Sequence, residues 1–113
     1  MFGFRLPVAL VCACTAAVVG VATATAGDVK AGRQKALQCQ TCHGLDGQAK
    51  LPEAPSLAGQ GDIYLAKALK DYRSGARQNE MMSLVARNLK DEDIADLAAY
   101  YAAIPVTVGA PPK

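Results

Sequence analysis

Three stretches of this chain carry side chains at helical spacing, and the segments between them are rich in glycine and proline. The first runs from Val29 to about Gln38, with Asp28 as N-cap and Val29, Gly32, Arg33, Ala36 and Leu37 recurring at helical intervals. The second opens on Asp62, again as N-cap. It sets Leu65, Leu69 and Tyr72 on one stripe with Lys67, Lys70 and Asp71 facing away, and it ends at Ser74-Gly75. The third begins at Asp91-Glu92-Asp93, three acids that favour the positive end of a helix dipole. It continues through Ile94, Leu97, Ala98 and Tyr101 and stops at Pro105. From Gly44 to Gly61, glycines with Pro52 and Pro55 predict a loop holding at most one helical turn, and loops of that length usually carry function. The tail, residues 106–113, has no periodicity and is expected to be flexible. Nothing alternates like a strand and no repeat emerges, so the expectation is a single all-α unit.

The N-terminal pattern is different in kind. Arg5 is the one charge in the first 26 residues, and a small and aliphatic run follows it from Leu6 to Ala26. A positive start, an apolar middle and the small-residue site Ala24-Thr25-Ala26 predict a secretory signal peptide over residues 1–26, cleaved after Ala26. The run is also long enough for a retained membrane anchor, the competing reading. A lipid anchor at Cys12 or Cys14 fits less well, because the apolar stretch before either cysteine is short.

Composition then narrows the chemistry. Of 113 residues, 51% are hydrophobic and 19% charged, with a net charge of +2, which excludes a disordered chain and a polybasic nucleic-acid binder. Without the leader, 87 residues remain, with 11 basic and 10 acidic side chains and no aromatic other than Tyr64, Tyr72, Tyr100 and Tyr101. So small a domain buries only about 60–65% of its unfolded surface, and it often needs a disulfide, metal or cofactor to complete its core.

Both remaining cysteines and the only histidine fall in one pentapeptide, Cys39-Gln40-Thr41-Cys42-His43. This spacing reads as a c-type haem attachment site. Two thiols three residues apart can each add to a vinyl group of one porphyrin, which leaves the next side chain, His43, beneath the iron as proximal ligand. A disulfide across so short a loop would stabilise little. A thioredoxin-like dithiol needs a βαβ setting, and a structural zinc site needs a fourth ligand that the motif lacks. The sixth iron position then falls to a methionine. Only Met81 and Met82 lie beyond the leader, both between the second and third predicted helices.

These residues resemble the small bacterial class I c-type cytochromes, mono-haem and His/Met-ligated. The likeness extends through Cys42-His43-Gly44-Leu45-Asp46-Gly47, through Pro55-Ser56-Leu57-Ala58-Gly59-Gln60, and through the closing run Asp93 to Tyr101. The resemblance implies the class I cytochrome c fold, three main helices plus loops wrapped around one covalently bound haem c, over residues 27–105. It implies that the last helix crosses the first at Gly32, beside an aromatic residue, most simply Tyr100. It also implies that the Pro55 carbonyl accepts the N–H of His43, and that Met82 is the distal ligand, with Met81 the second choice. Gln60, Tyr64, Arg73 and Arg77 are the polar side chains available to the haem propionates, although Arg73 and Arg77 read more readily as solvated charges at a helix end than as ligands.

The expected function is a one-electron carrier in a periplasmic electron-transfer chain. It would be an electron-transfer protein rather than an enzyme, meeting donors and acceptors transiently through a small patch at the haem edge. The near-neutral balance of charge predicts weak steering and a mild salt dependence. No nucleic acid is expected as a partner and no membrane span in the mature chain. The alternative is a fixed haem subunit of a larger periplasmic dehydrogenase; a sensor or peroxidase would instead need an open iron position.

Overall fold

The computed structural model describes residues 1, 3 and 26–113, so the leader and its cleavage fall almost wholly outside the described residues. Among these residues the protein is helical, with no strand.

Helix α1 spans Val29–Lys35, and the Asp28 carboxylate caps it by accepting the Ala31 N–H at 2.8 Å. It was expected to continue to Gln38. Instead the chain tightens into a 3-10 turn over Ala36–Gln38, a common way to close a helix end, and the Cys39 N–H bonds the Ala36 carbonyl at 2.9 Å. Helix α2, Gln40–His43, is a single turn that ends at Gly44, whose φ of 71° only glycine adopts without strain. The loop that follows holds no helix up to Gly61.

Helix α3 spans Asp62–Ser74 and closes on Gly75 in the left-handed conformation. Its N-cap is Gly61, one residue before the predicted Asp62, which is the first helical residue. Helix α4, Glu80–Ala86, was not predicted. Asn79 caps it, its side-chain oxygen accepting the N–H groups of Met81 at 3.1 Å and Met82 at 3.0 Å. Helix α5 spans Asp91–Ala102, and the Asp93 carboxylate accepts the N–H of Lys90, the N-cap residue, at 2.9 Å.

The core gathers Ala36, Leu65, Ala86, Leu89, Ile94, Leu97, Ala98 and Tyr101. Its backbone is the crossing of α1 and α5. A Cβ on Gly32 would lie 2.0 Å from the Asp96 carbonyl oxygen and 2.7 Å from the Tyr100 Cβ, so the expected meeting of Gly32 with Tyr100 is present. Packing on that Gly32–Ala36 face leaves Val29 and Leu37 about half exposed, although both share the helical pattern.

An ion cluster ties the same two helices. Asp96, only 5% exposed, accepts the Asp28 N–H at 2.7 Å on one oxygen and the Lys35 ammonium at 2.6 Å on the other, and Lys35 also pairs with Asp93 at 2.9 Å. The hydrogen bonds to Asp96 and Asp93 hold the Lys35 ammonium above its usual range, and Lys35 in turn holds both carboxyls below theirs. At the other end of α3, Arg73 donates to the Leu89 carbonyl at 2.9 Å and to Asp91 at 2.6 Å, which fixes the approach to α5.

Candidate haem site

The turn that ends α1 brings the attachment pentapeptide to the core. Cys39 and Cys42 are three residues apart on one helical turn, a spacing that puts both thiols on the same face. His43 follows, 6% exposed, its N–H bonded to the Cys39 carbonyl at 2.9 Å. Its ring is oriented by the loop: Nδ1 lies 2.8 Å from the Pro55 carbonyl oxygen. A carbonyl can only accept, so Nδ1 carries the proton and Nε2 keeps its lone pair free for a metal. The expected contact between Pro55 and His43 is thus present, and it is the kind of outer-shell bond that fixes a ligand's tautomer.

Both cysteines are free thiols. Burial pushes the Cys39 thiol up to about 11. At neutral pH it is a protonated, weakly nucleophilic thiol, unlike the thiolates of dithiol oxidoreductases.

These residues open into a cavity of about 470 Å³. Its lining is mostly apolar, with Leu57, Leu65, Leu69, Val85 and Leu97 among the contributors. Met81 and Met82 both reach it from α4, so the thioethers and the imidazole share one enclosure. Met81 is 60% exposed, whereas Met82 is half-buried and sits one turn before the fully buried Ala86. Of the four polar candidates, Gln60, Tyr64 and Arg77 line the cavity and Arg73 does not. Among the described residues Arg77 is the single charged side chain in the lining, and its guanidinium stacks 4.7 Å from the centroid of the Tyr72 ring. The donor set suits a haem: two thiols spaced for two vinyl groups, an imidazole with one free nitrogen, a soft sulfur, apolar walls for the macrocycle and one cation for its carboxylates.

Sequence reasoning placed Tyr101 on the core stripe but missed its hydroxyl, which faces this site. That hydroxyl donates to the Gly44 carbonyl at 3.2 Å, and Tyr100 donates to the Leu45 carbonyl at 2.7 Å. Burial raises the Tyr101 phenol above its usual range, so the phenol stays a donor.

Comparisons with known proteins agree with this geometry. The family model for cytochrome c matches residues 29–103. Cytochrome c4 of Pseudomonas aeruginosa is 45% identical over 95 residues, covering 84% of this chain and 47% of that protein. Cytochrome c-554(548) of Halomonas halodenitrificans is 48% identical over 79 residues, covering 67% of this chain and 95% of that one. The crystal structure of reduced recombinant cytochrome c4 from Pseudomonas stutzeri superposes with a TM-score of 0.68 at 39% identity, over 74% of this chain and 49% of that one. The chain therefore spans about half the length of the cytochromes c4 and nearly all of the cytochrome c-554(548).

Proposed function

The chain belongs to the cytochrome c family, and on that premise we propose that it is a one-electron carrier built on a single covalently bound haem c. The observation that carries this reading is the enclosure of the Cys39, Cys42 and His43 side chains with Met81 and Met82 in one apolar cavity. When bound, the haem supplies reversible one-electron chemistry at a potential that His/Met ligation raises.

The protein's own residues do the rest. Cys39 and Cys42 hold the macrocycle through two thioethers. His43 presents Nε2 as the proximal ligand while the Pro55 carbonyl retains the Nδ1 proton. Met82 supplies the distal sulfur: with Ala86 buried one turn later, its position lies on the inward side of α4. Leu65, Leu69 and Leu97 keep water from the ring, and Arg77, Gln60 and Tyr64 are the polar groups left for its carboxylates. With His43 and Met82 both engaged in holding the group, no place for a substrate would be left at it, and the chain would act as a carrier.

In this reading the leader directs export to the periplasm and is removed after Ala26. Among the described residues no helix is long and apolar enough to cross a membrane. The partners are redox proteins met transiently. A fixed haem subunit of a dehydrogenase is the second reading, since a thiosulfate dehydrogenase from Marichromatium purpuratum superposes on 74% of this chain with a TM-score of 0.65 at 33% identity. Gel filtration of the native extract separates the two: a carrier elutes near its monomer size and a subunit with its partner.

The decisive experiment is the absorption spectrum of protein matured in a host with haem-attachment machinery, oxidised and reduced. A haem c spectrum with the weak near-infrared band of a sulfur–ferric iron bond is expected, along with pigment that stays on the chain in acidified organic solvent. A colourless chain, or pigment that extracts freely, would overturn the proposal.

A further inference from the structure

Packing in the core asks only for a ring at position 101, yet the residue is a tyrosine. Its side chain is 3% exposed, lines the cavity, and lies edge-on to Tyr100 with ring centroids 5.1 Å apart. A buried phenol must find a partner or cost free energy, and this one finds the Gly44 carbonyl at 3.2 Å, whose other lone pair takes the Gly47 N–H at 3.2 Å.

Gly44 is the residue after His43, so a hydroxyl on α5 holds the end of the turn that carries the imidazole. The Pro55 carbonyl meanwhile holds the other end of His43, at ring atom Nδ1.

We infer that Tyr101 is a positioning residue for His43, its hydroxyl tying the carbonyl that follows the imidazole-bearing residue to α5 so that His43 cannot tilt within the cavity. Tyr100 is the internal comparison. It holds the next carbonyl, Leu45, at 2.7 Å, but it does not line the cavity, so it secures the turn without acting on the ligand.

The inference rests on the haem-carrier reading, and its test is separable from that reading. In matured holoprotein, Tyr101→Phe and Tyr100→Phe are compared by amide hydrogen exchange and by reduction potential. Losing one hydrogen bond corresponds to about a two- to tenfold change in a local opening equilibrium. The His43 and Gly44 amides, now bonded to the Cys39 and Gln40 carbonyls at 2.9 Å, should exchange faster by that factor in Tyr101→Phe. The potential should rise in the same variant, because a looser imidazole supports ferric iron less well. Tyr100→Phe should leave the potential unmoved. Should Tyr101→Phe fail to mature, 3-fluorotyrosine placed at 101 keeps the ring and strengthens the donor, and it should slow exchange and lower the potential. Wild-type exchange and potential in the Tyr101 variants, or an equal change of potential in Tyr100→Phe, would overturn the inference. A wild-type chain that never acquires covalent haem would instead overturn the proposed function.

Discussion

Gly32→Ala tests the crossing of α1 and α5, on which the site is built. The added Cβ would lie 2.0 Å from the Asp96 carbonyl oxygen, 2.7 Å from its carbonyl carbon and 2.7 Å from the Tyr100 Cβ. Two of the three atoms are backbone, so no side chain can swing aside, and the helices must part by at least 1 Å. Overpacking of this kind costs about 1–3 kcal/mol, and rigid backbone neighbours put this site at the upper end. Alanine returns about 1 kcal/mol through its better helix propensity. The net loss is about 2 kcal/mol, which in a domain of this size is roughly 8–16 °C in Tm. The assay is thermal unfolding of the holoprotein followed by circular dichroism, with Gly109→Ala as the control because nothing approaches within 4 Å there. Gly27→Ala is the graded case: its Cβ would lie 2.0 Å from the Ala95 carbonyl oxygen, but Gly27 precedes the first helix and can shift, so a smaller loss is expected. A Gly32→Ala protein melting within about 2 °C of wild type would refute the reasoning, since the clash would then cost no more than the roughly 1 kcal/mol that helix propensity returns.

Three other outcomes follow from the same geometry. Met82→Ala should abolish the near-infrared sulfur band, lower the reduction potential and let the reduced protein bind carbon monoxide quickly, while Met81→Ala keeps the band; the opposite result would transfer the ligand to Met81. The Lys35 cluster should matter over a bounded pH range. The carboxyls of Asp96 and Asp93 are depressed by Lys35, so their contribution is present above about pH 4 and lost as the pH falls through their lowered values. The Lys35 ammonium is raised, so its contribution is present below about pH 10 and lost as the pH climbs past that. The Tm gap between wild type and Lys35→Met should therefore be widest from about pH 5 to 9 and shrink as the pH falls below about 4; a gap independent of pH would show that the cluster acts by packing alone. Cys39→Ala with Cys42→Ala should yield a chain without compact helical structure, and a cooperative helical melt in that variant would show that the fold stands without an attached cofactor.

The legible parts of this protein are those whose cause is local. Helices α3 and α5 have one apolar stripe and clear ends, Gly75 for the first and the Asp91–Asp93 acids for the second. The pentapeptide confines its chemistry to five consecutive residues. Helix α4 escaped because it is only seven residues long and exposes Met81 and Leu84 at 60% and 57%, so apolar side chains point both ways and the stripe is lost. Asn79 followed by Glu80, a cap and a first-turn acid, was the signal that could have found it. Arg73 read as a solvated charge because both of its partners lie 16 or more residues away. Tyr101 shows the same limit: its place on the core stripe is written in the helical period, but its bond to Gly44 spans 57 residues, and only the folded chain brings those atoms together.

That division also explains why the pentapeptide and the helices depend on one another. The core consists of eight buried apolar side chains, three of them alanine, and it borders a cavity of about 470 Å³. At ~24 cal/mol per Å³, keeping such a volume dry and unfilled would cost about 11 kcal/mol. The whole stability of an 87-residue domain is only about 4–13 kcal/mol at typical values per residue. Flooding the cavity is no remedy, since it sets the half-buried Leu57, Leu69 and Val85 of the wall against water, at up to about 1.5–3 kcal/mol for a side chain fully exposed. The helices thus enclose more apolar wall than they can cover with their own side chains, and a flat apolar macrocycle linked to Cys39 and Cys42 supplies the missing contact. The thioethers fix that contact in place, so the residues that hold the cofactor for electron transfer also complete the core. Fold and carrier function then draw on the same attachment, and losing it should cost the chain both.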